Sequence, residues 1–265
     1  MVNFQRKQRY GWEDLLTIMH LLRAPEGCPW DREQTHQSIR MEFIEETYEA
    51  VEAIDTNDIP LMREELGDVL LQVAFHCQIE REQGSFTFDD VCDEVCKKLI
   101  ERHPHVFGEL NLSDTEAVLK NWDKIKQEKK QQSNTDTLTA VSKALPALMR
   151  AQKVGKRAMR AGMDFDNVQD AFTCISQETA ELQEAMQSGT QEQIEDELGD
   201  LLFSCVNTAR HLHVDAEEAL TRATEKFIRR FQKTEELLKQ EGIEMHSLGI
   251  DALDVYWRRA KEAIR

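Results

Sequence analysis

Two stretches of the chain carry the same device at the same spacing, and both follow a helical period. Residues 45–54 read EETYEAVEAI and lead to ELGD at 65–68, while residues 177–186 read QETAELQEAM and lead to ELGD at 197–200. In each copy the upstream glutamate (Glu46, Glu178) precedes the ELGD glutamate (Glu65, Glu197) by 19 residues. Around each ELGD, apolar residues recur at steps of three and four: Leu66, Val69, Leu70, Val73 and Cys77 in the first copy, Ile194, Leu198, Leu201, Leu202, Cys205, Val206 and Ala209 in the second. That is the period of an amphipathic helix. Two further blocks recur in the same order, KLIERH (98–103) with KFIRRF (226–231) and WDKIK (122–126) with WRRAK (257–261). The spacing after ELGD differs between copies, so the loops differ in length. A duplicated helical unit leaves little room for any other architecture. Glycine (11) and proline (5) are sparse, and no run alternates as a half-buried strand would. The expectation is an all-α chain of two tandem four-helix-bundle-like repeats.

The polar segment KQEKKQQSNTDTLTA (126–140) has no apolar period at its centre and reads as a linker or an exposed helix end. This sets an N-terminal helical domain at 1–131, a linker at 132–144 and a C-terminal helical domain at 145–265. A hydrophobic content of 40% supports a core in each. The formal net charge of −17 argues against a nucleic-acid or anionic-membrane surface, since both require positive potential. The six cysteines form no C-x-x-C pair, as free thiols in a reducing compartment would not. The opening MVNFQRKQRYGWEDLL has no apolar core of a secretory leader. No apolar run approaches the roughly 20 residues of a membrane helix. A cytoplasmic location is expected.

The acids are the chemical content of the repeat. At about 100° per residue, Asp68 falls some 60° and Gln72 some 20° from Glu65, with Val69 on one flank and Phe75 and Leu71 on the other. The carboxylates thus form a narrow strip between apolar residues, aimed into a bundle. Glu46 and Glu49, and likewise Glu178 and Glu181, are three apart and share a helical face. Two such helices packed antiparallel would gather four carboxylates per half: Glu46, Glu49, Glu65 and Asp68, then Glu178, Glu181, Glu197 and Asp200. Without a cation that cluster repels itself and is costly to desolvate. Oxygen-only donors suit Mg²⁺, which would in turn bind phosphate oxygens. Gly67 and Gly199 cost roughly 1 kcal/mol each in a helix interior, which close approach of a neighbouring helix would offset.

Other features admit two readings. Lys226, Arg229 and Arg230 lie within about one turn, as an anion site or as a basic helix end complementing the macrodipole. Trp257, four residues before Lys261, fits a base-stacking platform or plain core. GCPWD (27–31) reads as a rigid aromatic turn. The pairs His103/His105 and His211/His213 diverge on a helix, which favours helix-end or surface roles over metal binding.

With these residues in view, EETYE followed by ELGD resembles the E-E-x-x-E…E-x-x-D pattern of the all-α nucleoside triphosphate pyrophosphohydrolases. GCPWDREQTHQSI (27–39), ERHPHVFGE (101–109) and KALPALMRAQK (143–153) look like the MazG family, over nearly the full chain. The resemblance implies an intimate homodimer of helical bundles that hydrolyses many ribo- and deoxyribonucleoside triphosphates to monophosphate and pyrophosphate with Mg²⁺, in control of the nucleotide pool. It implies catalytic and metal roles for Glu178, Glu181, Glu197 and Asp200, and metal ligation by Glu46, Glu49, Glu65 and Asp68. Nucleotide contacts would fall on Gln177, Glu178, Asp196, Asp200, Lys226, Arg229, Arg230 and Trp257. One departure stands out: the first acid of the motif is Glu45 in the first half but Gln177 in the second. A di-iron bundle needs Glu-x-x-His, which is absent after Glu49, Glu65, Glu181 and Glu197. The alternative from another class is a non-catalytic helical adaptor, dimeric or regulatory.

Overall fold

The computed structural model describes residues 4–110, 114, 117, 118, 121 and 133–264, among which there is no strand. The block at 122–126 that matches WRRAK lies outside the described residues. The chain forms two compact units, Met1–Lys129 and Lys130–Arg265.

The first unit contains α1 (Trp12–Arg23), α2 (Pro29–Glu33), α3 (His36–Asp55), α4 (Ile59–Gln83), α5 (Phe88–Arg102) and α6 (Pro104–Phe107). Local chemistry sets the boundaries. Thr35 and Ser38 form a reciprocal capping box at the start of α3. Asp58 accepts from the Leu61 amide at 3.1 Å to start α4, which ends at Gly84 in the left-handed region (φ 75°). The turn between α3 and α4 is short and uses Asn57 at φ 54°. A connection that short makes the helices antiparallel neighbours. Glu49 lies six residues before the end of α3 and Glu65 six after the start of α4, so the turn brings them level.

The apolar core of this unit is Met19 of α1, Ile39 of α3 and Ala74, Phe75 and Ile79 of α4, with Leu15, Leu16, Leu22 and Leu71 packed around it. Arg23 closes one end. Its guanidinium lies 5.4 Å from the Phe75 ring centre, donates to the Glu82 carboxylate (2.8–3.1 Å), and donates to the carbonyls of Asp31 (2.6 Å) and Gln34 (3.1 Å). This pins the GCPWD turn, which continues into α2 with Pro29 in its first turn. Gly27 is obligatory there, because a Cβ would sit 2.3 Å from the carbonyl oxygens of Leu21 and Leu22.

The second unit contains α7 (Asn134–Thr139), α8 (Ala147–Arg160), α9 (Val168–Ser188), α10 (Gln191–His211), α11 (Ala216–Gln240), a 3₁₀ turn (Met245–Ser247) and α12 (Ile250–Ala263). α7 lies inside the interval read above as a linker. Asn167 caps α9, and Thr190 with Gln193 forms the box that starts α10. Glu181 and Glu197 come level across the short turn, as in the first unit. Thr208 of α10 donates to the Ala171 carbonyl of α9 (3.2 Å), while Val206 and Ala171 are buried nearby. Asp164, between α8 and α9, accepts from Arg210 (3.0 Å to Nη1) and from His211 (3.0 Å), clamping the end of α10. α12 returns along α11, with the rings of Trp257 and Phe227 at 5.0 Å.

One expectation is corrected. A Cβ built on Gly67 or Gly199 meets nothing within 4 Å, so no neighbouring helix of the described residues approaches either glycine. Both lie on exposed faces beside Leu66 and Leu198, which are about half exposed (51% and 46%). The helix–helix contact that positions the acids runs along the other side.

Candidate active site

Each helix pair gathers three glutamates. In the first unit carboxylate oxygens of Glu46, Glu49 and Glu65 lie within 4.8 Å of one another, and in the second those of Glu178, Glu181 and Glu197 do the same. Asp68 and Asp200 fall outside these triads, yet each acts on its cluster through charge. Burial, followed by the charges of Asp68, Glu49, Glu45 and Glu42, pushes the Glu46 carboxyl above the ordinary carboxylate range. Burial, then Glu49, Asp68, Glu46 and Glu64, does so for Glu65. Glu178 is raised by burial and then by Glu181, Asp200 and Glu197; Glu197 by burial and then by Glu181, Asp200 and Asp196. Both clusters therefore hold like charges in partial shelter from water, which is the arrangement a divalent cation relieves.

The donors fit a hard cation. They are carboxylate oxygens alone, and no arginine or lysine forms an ion pair with any of these acids among the described residues. The two sites differ in depth. Glu65 is buried (8% exposed) and Gln72, two turns on along the same face, is buried with its amide oxygen unpartnered. In the second unit Glu197 is half-buried, and the position matching Gln72 is the smaller Ser204. Gln177 and Asp196 are exposed beside Glu178 and Glu197.

The basic residues lie on α11. Lys226 and Arg229 are exposed and Arg230 is half-buried, and among the described residues none of the three forms an ion pair. Phe227 stands between them and packs on the half-buried Trp257 of α12. That contact brings Trp257 into the neighbourhood of the basic segment, across 30 residues of sequence. Among the described residues no hydrogen bond or ion pair links this aromatic–basic face to the carboxylates. The histidine pairs sit at helix ends: His103 caps α5 and its Nδ1 donates to the Leu99 carbonyl (2.6 Å), while His213 follows α10 at φ 57°.

Sequence reasoning placed Gln72 on the acidic strip but gave no sign that its amide would be buried without a partner. It also missed a contact between His36 and His76, which lie 40 residues apart on different helices. No spacing rule reaches across that interval.

Comparison with known proteins places these features in a family. The model of the MazG nucleotide pyrophosphohydrolase domain matches the chain twice, over residues 34–107 and 167–234. Each match spans the helix pair that carries one carboxylate cluster. The chain is 45% identical over 250 residues to the nucleoside triphosphate pyrophosphohydrolase/pyrophosphatase MazG of Thermotoga maritima, covering 94% of this chain and 95% of the relative. It is 43% identical over 251 residues to the nucleoside triphosphate pyrophosphohydrolase of Escherichia coli, covering 93% and 95%. It is also 44% identical over 250 residues to the uncharacterized protein YabN of Bacillus subtilis, covering 94% of this chain and 51% of that longer one. No helix of the described residues is long and apolar enough to cross a membrane. An all-α chain with duplicated carboxylate clusters, two domain matches and full-length relatives of this similarity belongs to the MazG family of nucleotide pyrophosphohydrolases.

Proposed function

We propose that this chain hydrolyses nucleoside triphosphates, ribo- and deoxyribo- with a broad range of bases, to monophosphate and pyrophosphate in control of the nucleotide pool. The observation that carries the reading is the glutamate triad in each unit, three carboxylates within 4.8 Å, of which Glu46 and Glu65 in one unit and Glu178 and Glu197 in the other are pushed toward the protonated form, with no cationic side chain paired to them among the described residues. Glu178, Glu181, Glu197 and Asp200 would hold Mg²⁺ in the second unit, and Glu46, Glu49, Glu65 and Asp68 in the first. Bound there, the ion supplies Lewis acidity and countercharge for a triphosphate and lowers the pKa of water. The residues do the rest. Lys226, Arg229 and Arg230 offer unpaired positive charge for the leaving pyrophosphate. Trp257, held by Phe227, offers a ring face to a base without hydrogen-bond selection, which suits a broad range. A carboxylate of the cluster that the ion leaves free would be placed to take a proton from the attacking water.

Exposed Leu198, Leu202 and Phe203 on α10, and Leu66 and Leu70 on α4, support a homodimer in which a second copy covers these faces. The composition and the absence of an apolar span among the described helices support a cytoplasmic enzyme acting on free nucleotides.

The test incubates the full chain with ATP or dGTP and Mg²⁺, against an EDTA control, and separates the products. Monophosphate with pyrophosphate is expected. Diphosphate with phosphate, or no turnover, overturns the reading; the latter would fit an adaptor.

A further inference from the structure

In the first unit, away from the carboxylates, two histidines meet edge to edge. His36 lies in the first turn of α3 and His76 in the second half of α4, with their Nδ1 atoms 2.6 Å apart. Their planes are inclined by 10° and the ring centres are 4.9 Å apart, no more than the contact plus two ring radii. The rings are therefore nearly coplanar, joined nitrogen to nitrogen, rather than stacked face to face. The other nitrogen of His36, Nε2, lies 2.6 Å from Glu80 Oε1. Phe43 packs against His76 at 5.7 Å.

An Nδ1···Nδ1 contact this short needs one donor and one acceptor, so it holds one proton. The Nε2–H of His36 donates to Glu80, which neutralises the pair if His36 is charged. A proton on both Nδ1 atoms would set N–H against N–H and two imidazolium charges side by side. We propose that His36, His76 and Glu80 form a one-proton latch fastening the start of α3 to α4, and that a second proton opens it.

The surroundings favour this reading. Burial, and then His36, hold His76 below the ordinary histidine value. A hydrogen bond from Ser85, and then His36, lower Glu80. Charged groups on the packed elements are engaged elsewhere. From α1, His20 meets Gln78 and Arg23 meets Glu82; from α2, Arg32 donates to the Pro25 carbonyl; on α5, Asp90 caps with Thr87 and Asp93 pairs with Lys97. On α3 itself, Arg40 is exposed one turn beyond His36. None of these bears on His76 or Glu80, whose charged neighbours among the described residues are confined to the latch.

The second unit is a built-in control. The repeat offset that takes Glu46 to Glu178 and Glu65 to Glu197 takes His36, His76 and Glu80 to Val168, Thr208 and Leu212, none of which titrates. The test is amide hydrogen exchange of the full chain between pH 7.5 and 5, corrected for the intrinsic pH dependence. If opening frees His76 to titrate with the ordinary histidine pKa of about 6.5, which the closed latch prevents, while His36 carries the same charge in both states, opening at residues 39–44 rises about 30-fold over that range. Residues 171–176 are expected to stay flat. In His76→Gln the rise is lost. A flat profile in the wild type, an equal rise in both units, or an undiminished rise in the variant overturns the latch. Ring ¹⁵N spectra of the wild type test it without any substitution: independent titration of both rings near 6.5 refutes a shared proton.

Discussion

Cation binding at the second-unit triad should displace protons in a countable way. The structure holds two of its carboxyls, Glu178 and Glu197, above the ordinary value of about 4.3 for glutamate. A raised folded pKa means that the metal-free folded state binds protons more tightly than the unfolded chain. These groups therefore favour the folded state most below about 4.3, and that contribution is lost as pH rises through the raised values. Above them the cluster is charged and self-repelling, and Mg²⁺ or Mn²⁺ gains what the protons have lost. Two carboxyls compete with one ion, so protons are released on binding, at most two where both carboxyls are protonated and none well above their raised values. The dissociation constant should correspondingly steepen toward a limit of about 100-fold per pH unit at the acid end. Titration calorimetry in buffers of different ionisation enthalpy counts the protons directly. Glu46→Gln combined with Glu65→Gln silences the first unit, so that the second is read alone. A metal affinity independent of pH from 5 to 8, with no proton release, would refute the claim that these carboxylates share a cation.

Four further outcomes follow from particular contacts. Glu197→Gln should lower pyrophosphate release at least about 100-fold while leaving the melting temperature unchanged or higher, since it removes a like charge from the triad. Arg229→Ala should cost roughly 10-fold in kcat/KM for triphosphates, the scale of one charge-assisted contact, seen in steady-state assays over a nucleotide series. Arg23→Ala should destabilise the first unit by about 2–3 kcal/mol in urea unfolding, discounted from the usual buried-pair cost because Glu82 keeps contact with water. Gly67→Ala and Gly199→Ala should each stabilise the chain by about 1 kcal/mol in urea unfolding at concentrations too low for a dimer, since a methyl meets no described residue within 4 Å; that gain should shrink or reverse where the proposed second copy covers the faces beside Leu66 and Leu198.

The helical class and the twofold layout were legible because a 3.6-residue period and a fixed repeat offset are local properties of sequence. The triads were legible for the same reason: i, i+3 glutamates on one helix and a short turn fix where the next helix brings Glu65 or Glu197. The failures are non-local. Gly67 and Gly199 suggested close packing, but whether a helix side is covered depends on the third dimension, and here it is open. Asp68 and Asp200 lie outside the triads and act on them through charge. The latch of His36, His76 and Glu80 joins helices through side-chain geometry that no spacing encodes. So does the contact of Trp257 with Phe227.

Each unit is fastened internally by an ion pair, and the two pairs have opposite polarity. In the first, the arginine comes from the opening helix and the acid from the carboxylate-bearing one, Arg23 to Glu82. In the second, the acid lies after α8 and the arginine on α10, Asp164 to Arg210. A duplicated chain runs the hazard that a helix of one copy docks on the wrong partner while folding. By the repeat offset Arg210 matches Gln78 and Glu82 matches Val214. If α1 were to settle in the register of its own partner on α10, Arg23 would meet Val214 and find no carboxylate; if α8 and its following loop settled on α4, Asp164 would meet Gln78 and find no arginine. Each exchange strands an unpaired charge at the place where the correct pairing has a clamp, so the two clamps discriminate between helices that are otherwise similar enough to be confused.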